Sequence, residues 1–210
     1  DADGLNRFAL DANSFELDVE AFSDSAIKWQ SDTAIIVTPN NPTALSVPRD
    51  DVLRLARLLE SHNCRLIVDE SFIEFSRAGI SGSVEAMVSE HPNLVVIKSM
   101  SKVFGVAGIR LGYLLSADRG FIKAVRASLP IWNINGVAEE FLRIVGRYRR
   151  EFFESRELTL EACLQLYRDL SALPGIEAIE PDANFVLCKL TNPAANGPEL
   201  ARRMYVEHNI

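Results

Sequence analysis

At 210 residues, 48% hydrophobic and 24% charged, the chain has the make-up of a globular protein with enough apolar material for a substantial core. Its net charge of −7 argues against a nucleic-acid partner, and no apolar run approaches the length of a membrane span, so no membrane partner is expected. Cys64, Cys163 and Cys188 are odd in number, far apart and without zinc-type spacing, and the N-terminus shows no basic-then-apolar leader; the expectation is free thiols, no metal and a cytoplasmic location.

Residues 1–32 are acidic, with Phe8, Leu10, Phe15, Leu17, Val19 and Phe22 as scattered anchors, and read as a short strand, a loop and the start of a helix. Residues 34–37 form a continuous apolar run that ends in a turn-rich stretch, Thr38-Pro39-Asn40-Asn41-Pro42-Thr43. A helix is expected from about Arg49, because Val52, Leu55, Ala56 and Leu59 recur at spacings that share one face. Residues 66–68 form a second apolar strand, ending at Asp69-Glu70, and residues 94–97 a third, ending at Ser99. Another strand is expected over 111–115, then a helix over 118–128 that Pro130 breaks. From Ile134 a single helical pattern runs to about Ala172, carried by Val137, Phe141, Val145, Tyr148 and Phe152, and Pro174-Gly175 ends it. Residues 176–179 and 185–188 read as short strands and 199–207 as a helix.

Apolar strands alternating with helical stretches indicate βαβ units, so the expected fold class is α/β: a mostly parallel sheet with helices on both faces, then the start of a small α/β C-terminal domain. The expected organisation is 1–130 as part of a large domain, 131–173 as a long connecting helix and 174–210 as an incomplete second domain. In such sheets ligands bind beyond the carboxyl ends of the strands. Three chemistry-bearing stretches fall there, after successive strands. Asn41 sits in the first; its amide suits turn chemistry or donation to a phenolate-like oxygen. Asp69 follows the second strand and suits either a turn or a positive partner such as a protonated ring nitrogen.

The third stretch, Ser99-Met100-Ser101-Lys102 and on to Arg110, holds one lysine among hydroxyls and glycines. It reads as a glycine-rich turn, or as an amine able to form a Schiff base beside a phosphate cup of Ser99, Ser101 and Arg110. Residues 101–150 carry nine Lys/Arg against three Asp/Glu, which suits an anionic ligand or a solvated basic face. Taken together, Lys102, Asp69, Asn41 and the hydroxyl cup would fit one ligand, pyridoxal 5′-phosphate.

Asn-Asn-Pro-Thr, Val-Asp-Glu-Ser-Phe, Ser-Met-Ser-Lys and Ala-Gly-Ile-Arg-Leu-Gly-Tyr, in this order, resemble the fold-type-I pyridoxal-phosphate-dependent aminotransferases of class I/II. The nearest likeness is to the histidinol-phosphate aminotransferases and the related threonine-phosphate decarboxylases. The resemblance implies that Lys102 carries the cofactor and shuttles the α-proton, and that Asp69 keeps the pyridine nitrogen protonated. It implies too that Asn41 contacts the phenolic oxygen and that Ser99, Ser101 and Arg110 bind the phosphate, with Asn133 and Asn184 as weaker candidates. Phe72 replaces the family's usual tyrosine at the ring, and Ala44 replaces a common glycine. The implied activity is transamination between an amino donor and a keto acid, with decarboxylation of an amino-acid phosphate as the alternative, or a non-catalytic domain of this fold. A homodimer is implied as well. The family's phosphate-binding turn, stacking aromatic and carboxylate-binding arginine have no counterpart here, so the chain is expected to be a central fragment and inactive alone.

Overall fold

The computed structural model describes residues 4–193 and 196–210. Helix α1 (Val19–Lys28) starts at Asp18, whose carboxylate accepts from the Ala21 amide at 2.9 Å. Strand β1 (Thr33–Val37) leads to α2 (Arg49–Glu60), which carries Asp50 and Asp51 in its first turn, where the helix dipole favours negative charge. Strands β2 (Arg65–Asp69) and β3 (Leu94–Ser99) follow, then a short helix α3 (Met100–Val103) and strand β4 (Gly112–Ser116). The sheet order is β1-β2-β3-β4. The first three strands are parallel and β4 is antiparallel to β3, so the expected mostly parallel α/β sheet is present.

Register explains the core. Ile36, Val68 and Val96 stand side by side on one face, with Leu115 of β4 opposite Val96. That face packs against Val52, Leu55, Ala56 and Leu59 of α2 and Val19 and Ala26 of α1. Alternate residues point the other way. There the Arg65 guanidinium lies 4.2 Å from the Phe121 ring centroid and 3.3 Å from Asp118, which caps α4 (Arg119–Ser128). Helices therefore flank both faces, although Ile35 on the α4 side remains 58% exposed.

Several sequence-based expectations shift in detail. No strand forms among the described residues before Thr33; Asp11 instead accepts from the Asn13 and Ser14 amides and turns the chain. Between β2 and β3, where the sequence reading assigns no element, the chain makes three 3-10 turns. The single helix expected over 131–173 is α5 (Gly136–Ile144), a 3-10 turn at Val145–Tyr148 and α6 (Arg149–Ser171). Gly146 lies in that turn, where it weakens helical continuity while the apolar stripe carries on.

Strands β5 (Ile176–Ala178) and β6 (Cys188–Leu190) pair antiparallel, and α7 (Gly197–His208) follows. The second strand begins at the end of the 185–188 run expected for it, because the preceding residues serve as a dock. The Asp182 amide donates to Ala44 O at 2.7 Å, and its carboxylate accepts from the Arg77 amide at 2.7 Å. Arg77 also pairs with Glu180 at 2.7 Å, and Phe185 meets Phe72 edge-on at 5.1 Å. Arg156 of α6 donates to the carbonyls of Glu74 and Ser76. The three cysteines are free thiols, and no described helix is long and apolar enough to cross a membrane.

Leu55 is fully buried between α2 and the sheet. Leu55→Ala in the full-length protein is expected to cost about 2–5 kcal/mol in denaturant unfolding, because the cavity cannot collapse completely. Leu58→Ala, on the exposed side of the same helix, should cost less than about 1 kcal/mol.

Candidate functional site

The carboxyl ends of β1, β2 and β3 lie side by side, and the ladder continues past them: Thr38 N donates to Asp69 O, and Glu70 N to Ile97 O, both at 2.9 Å. The loop after β1 is closed by its own backbone, with Asn40 N on Leu45 O at 2.8 Å and Ala44 N on Asn40 O at 2.7 Å. Ala44 is buried with φ +59°, a left-handed conformation that costs an L-residue roughly 1–2 kcal/mol and explains why glycine suits this position. Asn41 is exposed on this loop.

Asp69 is half-buried at the end of β2. Its Oδ1 accepts from the Ser71 amide at 2.9 Å, while Oδ2 accepts no hydrogen bond among the described residues. Ser71 Oγ in turn accepts from the Ser99 amide at 2.9 Å. The hydroxyls of Ser99 and Ser101 are 2.7 Å apart. Asp69 and this hydroxyl pair are thus joined across two strands by one residue that the sequence motifs did not single out.

Lys102 is exposed on α3 and lines a cavity of about 430 Å³ between α3, α5 and α6, walled by Phe104, Phe141, Tyr148 and Phe152. Asn184 lines the same cavity and carries a buried Oδ1 without a hydrogen-bond partner among the described residues. Phe72 turns to Phe185. Arg110 is exposed, at φ +56°, and donates to Ala107 O at 3.1 Å; no hydrogen bond joins it to the serine pair. Glycine is required just beyond, because a Cβ on Gly112 would stand 2.8 Å from Lys98 O. Asn133 is exposed on the α4–α5 link, and Asn135 caps α5 while its amide donates to Ile109 O at 2.8 Å.

Strand alternation puts the neighbours of Asp69 and Ser99 on the opposite face, where they form a buried charged cluster. Lys98, whose side chain is 5% exposed, places Nζ 2.7 Å from Glu85, 3.0 Å from Glu74 and 4.0 Å from Glu70. The Tyr113 hydroxyl donates to Glu85 at 2.5 Å, and Glu70 accepts from Ser83 Oγ at 2.5 Å and Val84 N at 2.8 Å. Burial alone would lower the pKa of Lys98, but hydrogen bonds and charges from Glu85 and Glu74 outweigh it and hold the ammonium well above the ordinary lysine range. Burial, and then the bond to Glu85, raises the Tyr113 hydroxyl. Burial also raises Glu70, against its two hydrogen bonds and the Lys98 charge. The only trace of this cluster in the sequence is a pair of charged residues inside or next to apolar strand runs.

A family model described as "Aminotransferase class I and II" matches residues 4–210. The chain is 44% identical over 209 residues to CMP-5′-(3-aminopropyl)phosphonate synthase of Streptomyces rubellomurinus, a match covering 100% of this chain and 33% of that protein. A solved decarboxylase from Sulfurospirillum multivorans superposes with a TM-score of 0.86 at 27% identity, covering 97% of this chain and 58% of the other. The histidinol-phosphate aminotransferase of Clostridium acetobutylicum gives a TM-score of 0.84 at 28% identity, covering 96% and 59% respectively. The chain therefore spans between a third and three fifths of these proteins.

Lys98→Met would leave three carboxyl groups around an uncharged side chain that donates no hydrogen bond, and is expected to cost about 3–5 kcal/mol. Glu70 has a folded pKa above its ordinary 4.5, so its contribution to stability is present below that value and is lost as pH rises through the folded one. Glu70→Gln should therefore gain in melting temperature relative to the native protein as pH is raised. Thermal scans between about pH 5 and 8 check this; a pH-independent difference would contradict it.

Proposed function

Because the chain belongs to the class I and II aminotransferase family, we propose that the protein carrying it binds pyridoxal 5′-phosphate at Lys102 and acts at the α-carbon of a small amino acid bearing a phosphate or phosphonate group. The observation that carries this reading is the donor set at the adjacent strand ends: an exposed amine on a cavity wall, a half-buried carboxylate with one oxygen unused, and a hydroxyl pair on the next strand. In kind these groups suit the cofactor's carbonyl, ring nitrogen and phosphate; they share successive strand ends rather than one cavity, since Asp69, Ser99 and Ser101 do not line the cavity at Lys102.

When bound, the cofactor supplies an electron sink for a carbanion at the substrate's α-carbon. Asp69 Oδ2 would face the ring nitrogen and hold a proton there. Ser99 and Ser101 would turn their hydroxyls to the phosphate, and Arg110, whose guanidinium is exposed, would join them. Asn41 would donate its amide to the phenolic oxygen, and Phe72 would contact the ring without the hydrogen bond that a tyrosine offers. Lys102 Nζ would take a proton from the α-carbon or return one to it.

Decarboxylation is the first reading. The relative from Streptomyces rubellomurinus is named for an aminopropyl product, whose aminated carbon bears no carboxylate, and a close structural neighbour is a decarboxylase. Transamination with a keto acid, which the sequence motifs placed first, is the second reading, supported by the histidinol-phosphate aminotransferase. A homodimer, as the resemblance implies, is part of this reading; Ile131 and Trp132, 94% and 91% exposed on the link between α4 and α5, are apolar surface that a second copy or the rest of the longer protein would cover. The 210 residues alone are expected to be inactive, because they span only part of the relatives' length.

Borohydride treatment of the full-length protein with the cofactor should fix it covalently on the peptide containing Lys102, and Lys102→Ala should abolish the adduct and activity. Assays with phosphate- and phosphonate-bearing amino acids should release carbon dioxide; keto-acid formation instead would select transamination. An adduct that persists in Lys102→Ala would overturn the assignment.

A further inference from the structure

We propose that Ser71 is a positioning residue that sets the placement of the phosphate-binding hydroxyls relative to the Asp69 carboxylate; the inference rests on the cofactor reading above. Three observations carry it. Ser71 is 8% exposed, so its contacts are shielded from competing water. Its amide donates to Asp69 Oδ1 and its hydroxyl oxygen accepts from the Ser99 amide, each at 2.9 Å. Ser99 in turn holds the Ser101 hydroxyl at 2.7 Å and accepts from the Ser101 amide at 3.3 Å.

The side chain takes over where the main-chain ladder stops. Glu70 N still reaches Ile97 O, but past Asp69 the chain turns away from β3 towards the 3-10 turn Ile73–Phe75. The Ser99 amide therefore finds its acceptor in a hydroxyl rather than in a β2 carbonyl. The ring nitrogen and the phosphate of pyridoxal phosphate are a fixed distance apart. Their two binding groups stand on different strands, and Ser71 touches both.

The two contacts are separable. Ser71→Ala keeps the backbone donor to Asp69 but leaves the Ser99 amide unpaired, loosening the phosphate end alone. Ser71→Thr keeps the hydroxyl. The test is titration of the full-length apo protein and both variants with pyridoxal 5′-phosphate and, separately, with pyridoxal, which lacks the phosphate. Absorbance follows binding, and melting of the apo forms reports folding. In Ser71→Ala the phosphorylated ligand should bind about tenfold more weakly while pyridoxal changes by less than about twofold, and Ser71→Thr should restore most of the loss.

Equal weakening of both ligands would mean that Ser71 only stabilises the fold, and no change in either would mean that the contact is idle; each result overturns the proposal. If Ser71→Ala does not fold, the comparison is made on Ser71→Thr and Ser71→Cys, and the proposal falls unless the weaker acceptor, cysteine, lowers the affinity ratio. A native protein that binds neither ligand would instead overturn the cofactor reading, and this proposal with it.

Discussion

The buried ammonium of Lys98 is the contact on which this end of the sheet depends. The connection from β2 to β3 has no α-helix to cover the sheet, so its 3-10 turns must be held by other means. Lys98 holds them. It extends from β3 to Glu74 in the first turn and to Glu85 in the third, while Glu70 of the same cluster takes Ser83 and the Val84 amide between them. Tyr113 ties β4 to the same carboxylate. Buried charges are costly unless paired and hydrogen-bonded, and here the partners come from three strands' neighbourhoods at once, so the cluster forms only when the segment is correctly folded.

The cluster and the candidate site are two sides of the same strand ends. Glu70 follows Asp69, and Lys98 precedes Ser99, so the two-residue alternation of a strand sends one of each pair to either face. The loops are fastened in turn by the second part of the chain: Asp182 binds Ala44 after β1 and Arg77 after β2, and Arg156 of α6 holds the carbonyls at Glu74 and Ser76. Against this framework Lys102 stands exposed on α3, on the wall of the cavity between α3, α5 and α6.

Much of this was determined by the sequence alone. The apolar runs ending at Val37, Asp69 and Ser99, and the stripe of Val52, Leu55, Ala56 and Leu59, are short-range periodicities, and such signals survive whatever the rest of the chain does. They place Asn41, Asp69 and Lys102 beyond neighbouring strand ends, and the four ordered motifs name the family. Local chemistry fell short where two conformations compete within a few residues. Gly146 divides a stripe that reads as one helix, and the turn at Asp11 replaces an expected strand.

Tertiary structure alone decided the contacts between distant residues. The Ser99 amide meets Ser71 across 28 positions, and the Arg77 amide meets Asp182 across 105. A serine that takes over a ladder hydrogen bond has the same sequence signature as a serine in any turn. A lysine in an apolar strand does not reveal that three glutamates from elsewhere will surround it. Which way a strand's side chains face, and what meets them there, is set by register and by the path of the next connection, and both emerge only when the whole sheet is assembled.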